Sequence, residues 1–295
     1  MAYCAQIADA IEKRSHHDHR RAILLDFLRK TFDIEVDEIE LEKKVKAAEA
    51  RGRMQNVSRM RRRRCSTSLG QSSEVANCRV LSENQGMIHK ILPVGPLQCN
   101  CSVIGDETTH QAMVIDPGDD IEDVLAIVRQ HKLEVKQIVI THAHIDHVGG
   151  AMKLRALTGA PILLNQNDYA LLKMLDVQAS WLGMAAPGAV AIEASIADGE
   201  SLRTGNLTAN VLHTPGHTEG SVCLYFPAQK LLIAGDTLFA RSIGRTDLPG
   251  GSFEKIMRSL HDRVLTLPDD TVVIPGHGPR TTIGEEKEEN PFLVG

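Results

Sequence analysis

The sequence of 295 residues contains no long apolar run. A helix that spans a membrane needs roughly 18 or more consecutive apolar residues, and no stretch approaches that length. The amino terminus also lacks the apolar core of a secretory signal peptide. We therefore expect a soluble cytoplasmic protein that makes no membrane contact.

The cysteines show no paired spacing. None of the six forms a Cys-x-x-Cys pair, and a chain long enough to bury a full core needs no disulfides to fold. Reduced thiols are expected, and Cys99 and Cys101 are interpreted as core thiols rather than as a redox pair.

Charge is distributed unevenly along the chain. Residues 1–86 hold 17 Lys and Arg against 13 Asp and Glu, whereas residues 87–295 hold 16 against 25. Apolar residues at helical spacing predict a helical extension over residues 1–50. Loss of that spacing, with the arginine-rich run Arg59–Arg64 and a Ser-rich stretch, predicts a disordered basic linker over residues 51–86.

The arginine-rich run suits phosphate groups, which makes a nucleic-acid-binding or nucleic-acid-processing protein the alternative of another class. A solvated charge run is the simpler interpretation, because no stacking aromatic lies near it. The acidic balance of residues 87–295 repels phosphate backbones and further disfavours nucleic acid as a partner.

Four metal-competent side chains lie within the segment Thr141–His147. The preceding run Gln137–Ile140 predicts a buried strand, so the cluster falls where a strand ends and a helix begins. Imidazole and carboxylate together suit zinc, iron or manganese better than calcium. His142 and His144 alternate along the end of the strand and can bind one ion together. Asp146 and His147 follow and point elsewhere, so they can bind a second ion.

Three later segments repeat the pattern of an apolar strand followed by a Gly- or Pro-rich turn, and they supply His217, Asp236 and His277. A single histidine after a strand is more often structural than metal-binding. Together with the first cluster, however, the three give enough ligands for two ions. Asp116, in the turn Asp116-Pro117-Gly118, either supports a ligand or caps the turn.

The order of these motifs, T-H-x-H-x-D-H, T-P-G-H-T, G-D-T-L-F and P-G-H-G, resembles the metallo-β-lactamase superfamily from about Met87 to Gly295. Within this superfamily, the segments Gly244–Ser252 and Gly276–Glu286 resemble those of short, single-domain glyoxalase II-like hydrolases. These are also called hydroxyacylglutathione hydrolase-like proteins. The resemblance implies an α/β fold, an αββα sandwich over residues 87–295, preceded by the mostly helical and disordered extension.

The resemblance also implies two divalent metal ions, with zinc favoured and iron or manganese as alternatives. The first ion takes His142, His144, His217 and Asp236, and the second takes Asp146, His147, Asp236 and His277. Asp236 bridges the two ions, and Asp146 orients the metal-activated hydroxide that attacks the substrate.

A metal-dependent hydrolase that cleaves a small-molecule thioester is therefore expected. Two segments depart from the glyoxalase II pattern: Gly278-Pro279 stands where Glu-Tyr is usual, and Gly244-Arg245-Thr246-Asp247 where Gly-Lys-Phe-Tyr is usual. Arg245 suits an anionic group of the substrate, and its alternative role is a surface ion pair with Asp247.

A persulfide dioxygenase is the alternative within the same superfamily. Such enzymes bind one iron through residues that match His142, His217 and Asp236, and they also have a Gly-Arg-Thr-Asp segment.

Periodicity predicts alternating strands and helices after Met87. The predicted helices are Ile121–Gln130, Val148–Thr158, Asp168–Leu175 and Ser252–Leu265, and the predicted strands include Ile88–Leu92, Cys101–Ile104, Ala112–Ile115, Gln137–Ile140, Pro161–Leu164, Leu207–His213, Val222–Phe226, Lys230–Ala234 and Thr271–Ile274. The segment Asp176–Asp198 is expected to be irregular. Trp181 either lines a substrate pocket or anchors this segment on the core, and the anchor is favoured. His213 is interpreted as a packed core histidine.

Overall fold

The structure is a computed structural model, and it describes residues 86–294. The predicted helices of residues 1–50, nearly all of the predicted linker and the arginine-rich run lie outside the described residues. Within residues 86–294, no helix is both long enough and apolar enough to cross a membrane.

Fourteen strands form within this range. In chain order they are β1 (Met87–Val94), β2 (Cys99–Asp106), β3 (Gln111–Ile115), β4 (Glu134–Val139), β5 (Ile162–Leu164), β6 (Ala194–Ser195), β7 (Ser201–Thr204), β8 (Leu207–His213), β9 (Val222–Phe226), β10 (Leu231–Gly235), β11 (Leu238–Phe239), β12 (Ser242–Ile243), β13 (Val272–Pro275) and β14 (Thr281–Thr282). The first sheet has the order β1-β2-β3-β4-β5-β6, the second β14-β13-β10-β9-β8-β7, and β11 pairs with β12.

Seven α-helices accompany the strands in the described range. They are α1 (Ile121–Gln130), α2 (Ile145–Val148), α3 (Ala151–Thr158), α4 (Tyr169–Leu172), α5 (Leu175–Leu182), α6 (Phe253–Ser259) and α7 (Ile283–Glu289). Helix α1 agrees with its predicted bounds. Its buried residues recur at helical spacing, and it carries acidic residues in its first turn and Arg129 in its last, which suits the helix dipole.

Alternation along the strands divides the core into three layers. Met113 and Ile115 belong to the apolar layer between the two sheets, whereas Val114 packs with helices α1 to α3 on the other face of the first sheet. On the second sheet, Ile233 lies in the layer between the sheets, and Leu232 packs on the opposite face with residues of α6 and α7. The predicted αββα sandwich is therefore confirmed.

The predicted helix Val148–Thr158 is wrong in its bounds, because a break separates α2 from α3. The break lies at Gly149 and Gly150, which pack against the turn after β3. A Cβ on Gly150 would lie 2.5 Å from the carbonyl oxygen of Pro117, and one on Gly149 would lie 2.8 Å from that of Gly118. This close approach of two backbones requires glycine, which a periodicity argument does not detect.

The prediction for Asp176–Asp198 is also wrong at its start, since α5 extends to Leu182 before the left-handed Gly183 ends it. Trp181 lies on this helix and is 43% exposed, so it does not anchor the segment on the core. The predicted helix Asp168–Leu175 is instead a 3₁₀ turn followed by the short α4. His213 is half-buried at the end of β8 rather than packed in the core.

The last predicted helix, Ser252–Leu265, changes its type along its length. It begins with Ser252 as the N-cap of α6 and continues as a π-helix over Leu260–Val264. The three described cysteines, Cys99, Cys101 and Cys223, are free and buried, as predicted.

Strand direction determines where the loops with metal-competent residues meet. Strands β3, β4 and β5 run parallel, and so do β10 and β13, so the carboxyl ends of β4, β10 and β13 open at one edge of the sandwich. The N–H of Gly276 donates to the Gly235 carbonyl and joins the ends of β13 and β10, and the N–H of Val222, at the start of β9, donates to the Thr141 carbonyl after β4.

Candidate metal centre

The seven residues predicted from the motifs all meet at this edge of the sandwich. His142, His144, Asp146 and His147 follow β4, His217 lies in the turn between β8 and β9, Asp236 follows β10, and His277 follows β13. Six of the seven are buried, and His144 is half-buried. Residues far apart in sequence are thus brought into a single water-poor cluster.

The first three histidines form one group. His144 Nδ1 lies 2.9 Å from His217 Nε2. The ring of His142 lies 4.8 Å from that of His144 and 4.7 Å from that of His217, measured between centroids. One nitrogen from each ring lies within 4.8 Å of the others, so the three can hold one ion together.

A second group lies beside the first. His277 Nε2 is 3.3 Å from His147 Nε2 and 3.1 Å from Asp146 Oδ2. The same Asp146 oxygen is 3.7 Å from His147 Nε2. Two imidazole nitrogens and one carboxylate oxygen therefore converge on a common point.

Asp236 lies between the two groups. Its Oδ2 is 3.6 Å from His217 Nε2, whereas its Oδ1 is 3.5 Å from His147 Nε2 and 3.8 Å from His277 Nε2. The carboxylate thus presents one oxygen to each group of ligands.

The buried polar atoms of the cluster fit a divalent cation. Within residues 86–294, His142 Nε2 and Asp236 Oδ1 are buried and accept no hydrogen bond. A buried polar atom without a partner costs free energy, and a cation would satisfy both atoms. The donor set is nitrogen and oxygen, which suits zinc and other transition metals.

The outer nitrogens of four histidines are held by hydrogen-bond partners. These contacts are His142 Nδ1 with Thr141 Oγ1 at 3.1 Å, His147 Nδ1 with Asp116 Oδ2 at 2.9 Å, His217 Nδ1 with the Arg245 carbonyl at 2.8 Å and His277 Nδ1 with the Leu97 carbonyl at 3.0 Å. Such contacts favour the tautomer that leaves Nε2 unprotonated toward the inside of the cluster, where it could bind a cation. Asp116 contacts a candidate ligand, His147, which agrees with one of its two predicted roles. The two carbonyl groups belong to the backbone, so no sequence motif predicts their contacts.

The histidines of the two groups have opposite electrostatic surroundings. Burial lowers the pKa of His144 to about 3 and that of His217 to about 4, and it holds the pKa of His142 well below its usual value. Burial also acts to lower the pKa of His277, but the carboxylates of Asp236 and Asp146 outweigh it and raise that pKa. The first group therefore offers neutral imidazoles, and the second concentrates negative charge.

Two glycines allow the backbone to approach the cluster. A Cβ on Gly276 would lie 2.1 Å from Asp236 Oδ1 and 2.8 Å from the His147 ring. A Cβ on Gly118 would lie 1.6 Å from the carbonyl oxygen of Asp146. Any side chain at either position would displace a ligand residue.

The Cys99 thiol also borders the cluster, although the sequence predicted only an ordinary core thiol at this position. Its Sγ lies 3.5 Å from His147 Nδ1. This is the outer nitrogen of the ring, on the side away from Asp236. Burial raises the pKa of the Cys99 thiol to about 12. The sulfur is near His147 and His277, but because it faces the outer nitrogen of His147, Cys99 borders the cluster from outside.

Arg245 contributes to the cluster through its backbone. Its carbonyl holds His217, while its guanidinium Nε donates to Asp247 Oδ1 at 2.7 Å. The ion pair named as its alternative role is thus present.

Comparison with known proteins gives the family of the chain. The model of the metallo-beta-lactamase superfamily matches residues 94–277. The hydroxyacylglutathione hydrolase GloC of Haemophilus influenzae is 39% identical over 211 residues, which cover 69% of this chain and 97% of that protein.

Three solved structures are also similar. The BLEG-1 B3 metallo-beta-lactamase is 37% identical with a TM-score of 0.67, covering 70% of this chain and 100% of that one. ETHE1 from Myxococcus xanthus is 32% identical with a TM-score of 0.59, covering 70% and 84%. TTHA1623 in a di-iron-bound form is 38% identical with a TM-score of 0.63, covering 69% and 100%. With the motif order, the sandwich and the ligand cluster, these matches show that the chain belongs to the metallo-β-lactamase superfamily and carries its site for divalent metal ions.

Proposed function

We propose that this protein is a binuclear metal-dependent hydrolase that cleaves a thioester of the hydroxyacylglutathione type. The observation that carries the proposal is the position of Asp236, which turns one carboxylate oxygen toward each of two groups of ligands. A carboxylate in this position can bridge two cations and offset part of their repulsion.

The ligand assignment follows from the two groups. The first ion is held by His142, His144 and His217, the second by Asp146, His147 and His277, and Asp236 contacts both. Zinc is our choice for both ions because nitrogen-rich sites with a few carboxylates suit it. Iron and manganese are the alternatives, and the di-iron form of TTHA1623 supports testing iron.

The bound cations would supply a nucleophilic hydroxide near neutral pH and polarise the carbonyl group of the substrate. Asp146 would accept a hydrogen bond from the attacking water and so orient it, since its buried Oδ2 lies at the cluster, 3.1 Å from His277 Nε2. The outer hydrogen bonds of the histidines keep their rings fixed during the reaction. Burial of the cluster excludes bulk water and strengthens these interactions.

The leaving group favours a thioester over a lactam. A thiolate is stable near neutral pH, with a thiol pKa of about 8.5, whereas the nitrogen of a lactam must be protonated or otherwise stabilised as it leaves. Apart from the ligands, no side chain of the segments 141–147, 214–218, 235–237 and 275–278 is cationic. The GloC relative supports the thioester, and the BLEG-1 neighbour makes the lactam the natural comparison.

The substrate contacts are a separate proposal. Arg245 lies beside the cluster, and an anionic group of the substrate could compete with Asp247 for its guanidinium. The side-chain pair is partly exposed, so the exchange costs little free energy.

A mono-iron persulfide dioxygenase is the second candidate function. The Gly244-Arg245-Thr246-Asp247 segment favours it, and so does the likeness to ETHE1. In that case His142, His217 and Asp236 would hold a single iron.

The test is a set of parallel assays on one metal-loaded sample. We expect turnover of lactoylglutathione and of a coenzyme A thioester, and negligible turnover of a chromogenic cephalosporin. Cephalosporin hydrolysis without thioester turnover would overturn the proposal. Oxygen uptake that depends on glutathione persulfide, without thioester turnover, would support the dioxygenase instead.

A further inference from the structure

Two buried polar side chains outside the ligand set contact the segments that carry the ligands. Asp168, at the end of the 3₁₀ turn before α4, is 1% exposed. Asn100, in β2, is 8% exposed. Neither touches the inner side of the cluster, and their contacts divide between its two groups.

Asp168 holds the segments of the first group. Its Oδ2 accepts a hydrogen bond from the N–H of Ala143 at 2.9 Å and from the hydroxyl of Thr218 at 2.8 Å. Its Oδ1 accepts one from the N–H of Gly220 at 2.6 Å. Ala143 lies between His142 and His144, and Thr218 follows His217. One carboxylate therefore joins the two loops that carry all three histidines of this group.

The packing around Asp168 is close. A Cβ on Gly220 would lie 2.6 Å from the carboxyl carbon of Asp168. The adjacent helix α5 adds a second contact, because Gln178 Oε1 accepts from the N–H of Ile145 at 2.9 Å and its Nε2 donates to the Ala143 carbonyl at 3.2 Å. The backbone on both sides of His144 is thus fixed from outside the cluster.

Asn100 holds the segment that carries His277. Its Nδ2 donates to the carbonyls of Pro275 at 2.9 Å and Gly278 at 3.0 Å. Its backbone N–H donates to the carbonyl of Gly276 at 2.7 Å. These three carbonyls flank His277 on both sides. Because Asn100 belongs to the first sheet and His277 follows a strand of the second, these contacts tie the segment that carries His277 to the first sheet.

We propose that Asp168 and Asn100 are positioning residues, each serving one metal ion: Asp168 for the ion held by His142, His144 and His217, and Asn100 for the ion held by Asp146, His147 and His277. The proposal rests on the binuclear assignment above. Outer hydrogen-bond partners of metal ligands typically change metal affinity by about 10- to 100-fold. Removing one of these two side chains therefore weakens mainly the binding of the ion on its own side. The other ion is affected less, through the shared ligand Asp236.

The experiment is equilibrium titration of the metal-free full-length chain with Co(II), followed by paramagnetic proton NMR. A Co(II) ion on the first group shifts the exchangeable N–H protons of three imidazoles, and one on the second group shifts those of two. We expect Asp168→Ala to lose the three-proton set at Co(II) concentrations that still fill the other site, and Asn100→Ala to show the reverse, each with a loss of affinity of about 10- to 100-fold.

Two matched controls separate positioning from general destabilisation. Asp106 is equally buried and accepts three backbone N–H hydrogen bonds, from Thr108, Thr109 and Asn206, and Asn290 is buried and donates to the Ser242 carbonyl. Neither contacts a segment that carries a ligand. Asp106→Ala and Asn290→Ala should lower thermal stability while both Co(II) affinities stay within about 3-fold of the wild type.

Conservative variants cover a failure to fold. Asp168→Asn keeps the volume and one acceptor oxygen, so its loss of Co(II) affinity at the first site should be smaller. Asn100→Asp keeps the volume but cannot donate to the two carbonyls, so it should lose Co(II) affinity at the second site as Asn100→Ala does. Equal loss of both ions in both variants, or losses no larger than those of the controls, would overturn the proposal. A wild-type chain that binds fewer than two Co(II) ions would instead refute the binuclear function on which it rests.

Discussion

At the scale of single residues, Asp236 is the side chain that contacts both groups of candidate ligands. The two oxygens of its carboxylate lie 3.5 to 3.6 Å from ring nitrogens of the two groups, one near His147 and the other near His217. An amide of the same shape keeps an acceptor oxygen but loses the negative charge that offsets the repulsion between two cations.

Asp236→Asn should therefore lower kcat/KM by more than about 100-fold, beyond the loss typical of an outer hydrogen-bond partner. Arg245→Ala should mainly raise KM, as expected when an interaction is made equally in the ground state and the transition state. Steady-state kinetics with metal analysis on both variants checks this. Comparable losses of kcat in the two variants, with metal content unchanged, would contradict the role of Asp236.

Gly276 gives a steric prediction. Gly276→Ala places a methyl group 2.1 Å from Asp236 Oδ1, so either the carboxylate or the turn that carries His277 must move. We expect loss of metal and of activity with a normally folded sandwich, measured by metal analysis and circular dichroism. Gly159→Ala is the control, because Gly159 has a positive φ but open space around it. Gly159→Ala should lower stability by about 1 kcal/mol and leave activity unchanged. A Gly276→Ala variant that keeps its metal and its activity would contradict the predicted clash with Asp236.

At the scale of elements, Asp106 joins two turns. Its carboxylate lies at the end of β2 and accepts backbone N–H hydrogen bonds from Thr108, from Thr109 and from Asn206 in the turn between β7 and β8. Burial acts to raise the pKa of Asp106, but these hydrogen bonds outweigh it, so its pKa lies below the usual value of 3.8. The charged form therefore stabilises the fold.

The stability that Asp106 contributes depends on pH and is lost under acidic conditions. The contribution of Asp106 is fully present above pH 3.8, its unfolded value, and is lost as the pH falls through the lower folded-state pKa. Asp106→Asn should cost about 1–3 kcal/mol at pH 7, and the difference from the wild type should shrink at acidic pH. Urea unfolding of both metal-free proteins between pH 7 and 2 measures it. A difference that grows toward low pH would contradict the assignment.

The elements that periodicity predicted well are those whose burial is decided locally. Helix α1 and strand β8 agree with their predicted bounds because apolar side chains recur at the period of the element, and β9 does so because it is a short continuous apolar run. The break at Gly149 and helix α5 depend on contacts with other segments, and local sequence does not contain them. The same distinction holds for the site: motifs identified the seven ligand candidates, whereas Asp168 and Asn100 act on segments 25 or more residues away.

At the scale of the whole molecule, the residues that form the cluster all lie after Met87. A chain that begins at Met87 should fold, bind metal and keep full activity, because both sheets and all seven ligand candidates lie within it. The measurement compares its metal content, melting temperature and kcat/KM with those of the full-length chain. Loss of soluble protein on removal of residues 1–86 would show that the extension is part of the folding unit.

The most direct test of the binuclear account is the metal content of the full-length protein purified without added metal, set beside its thioester turnover. We predict two equivalents of divalent metal per chain, and hydrolysis of lactoylglutathione that falls as metal is removed by chelation and returns when two equivalents are restored. One tightly held iron per chain, with full activity at that stoichiometry, would contradict the account.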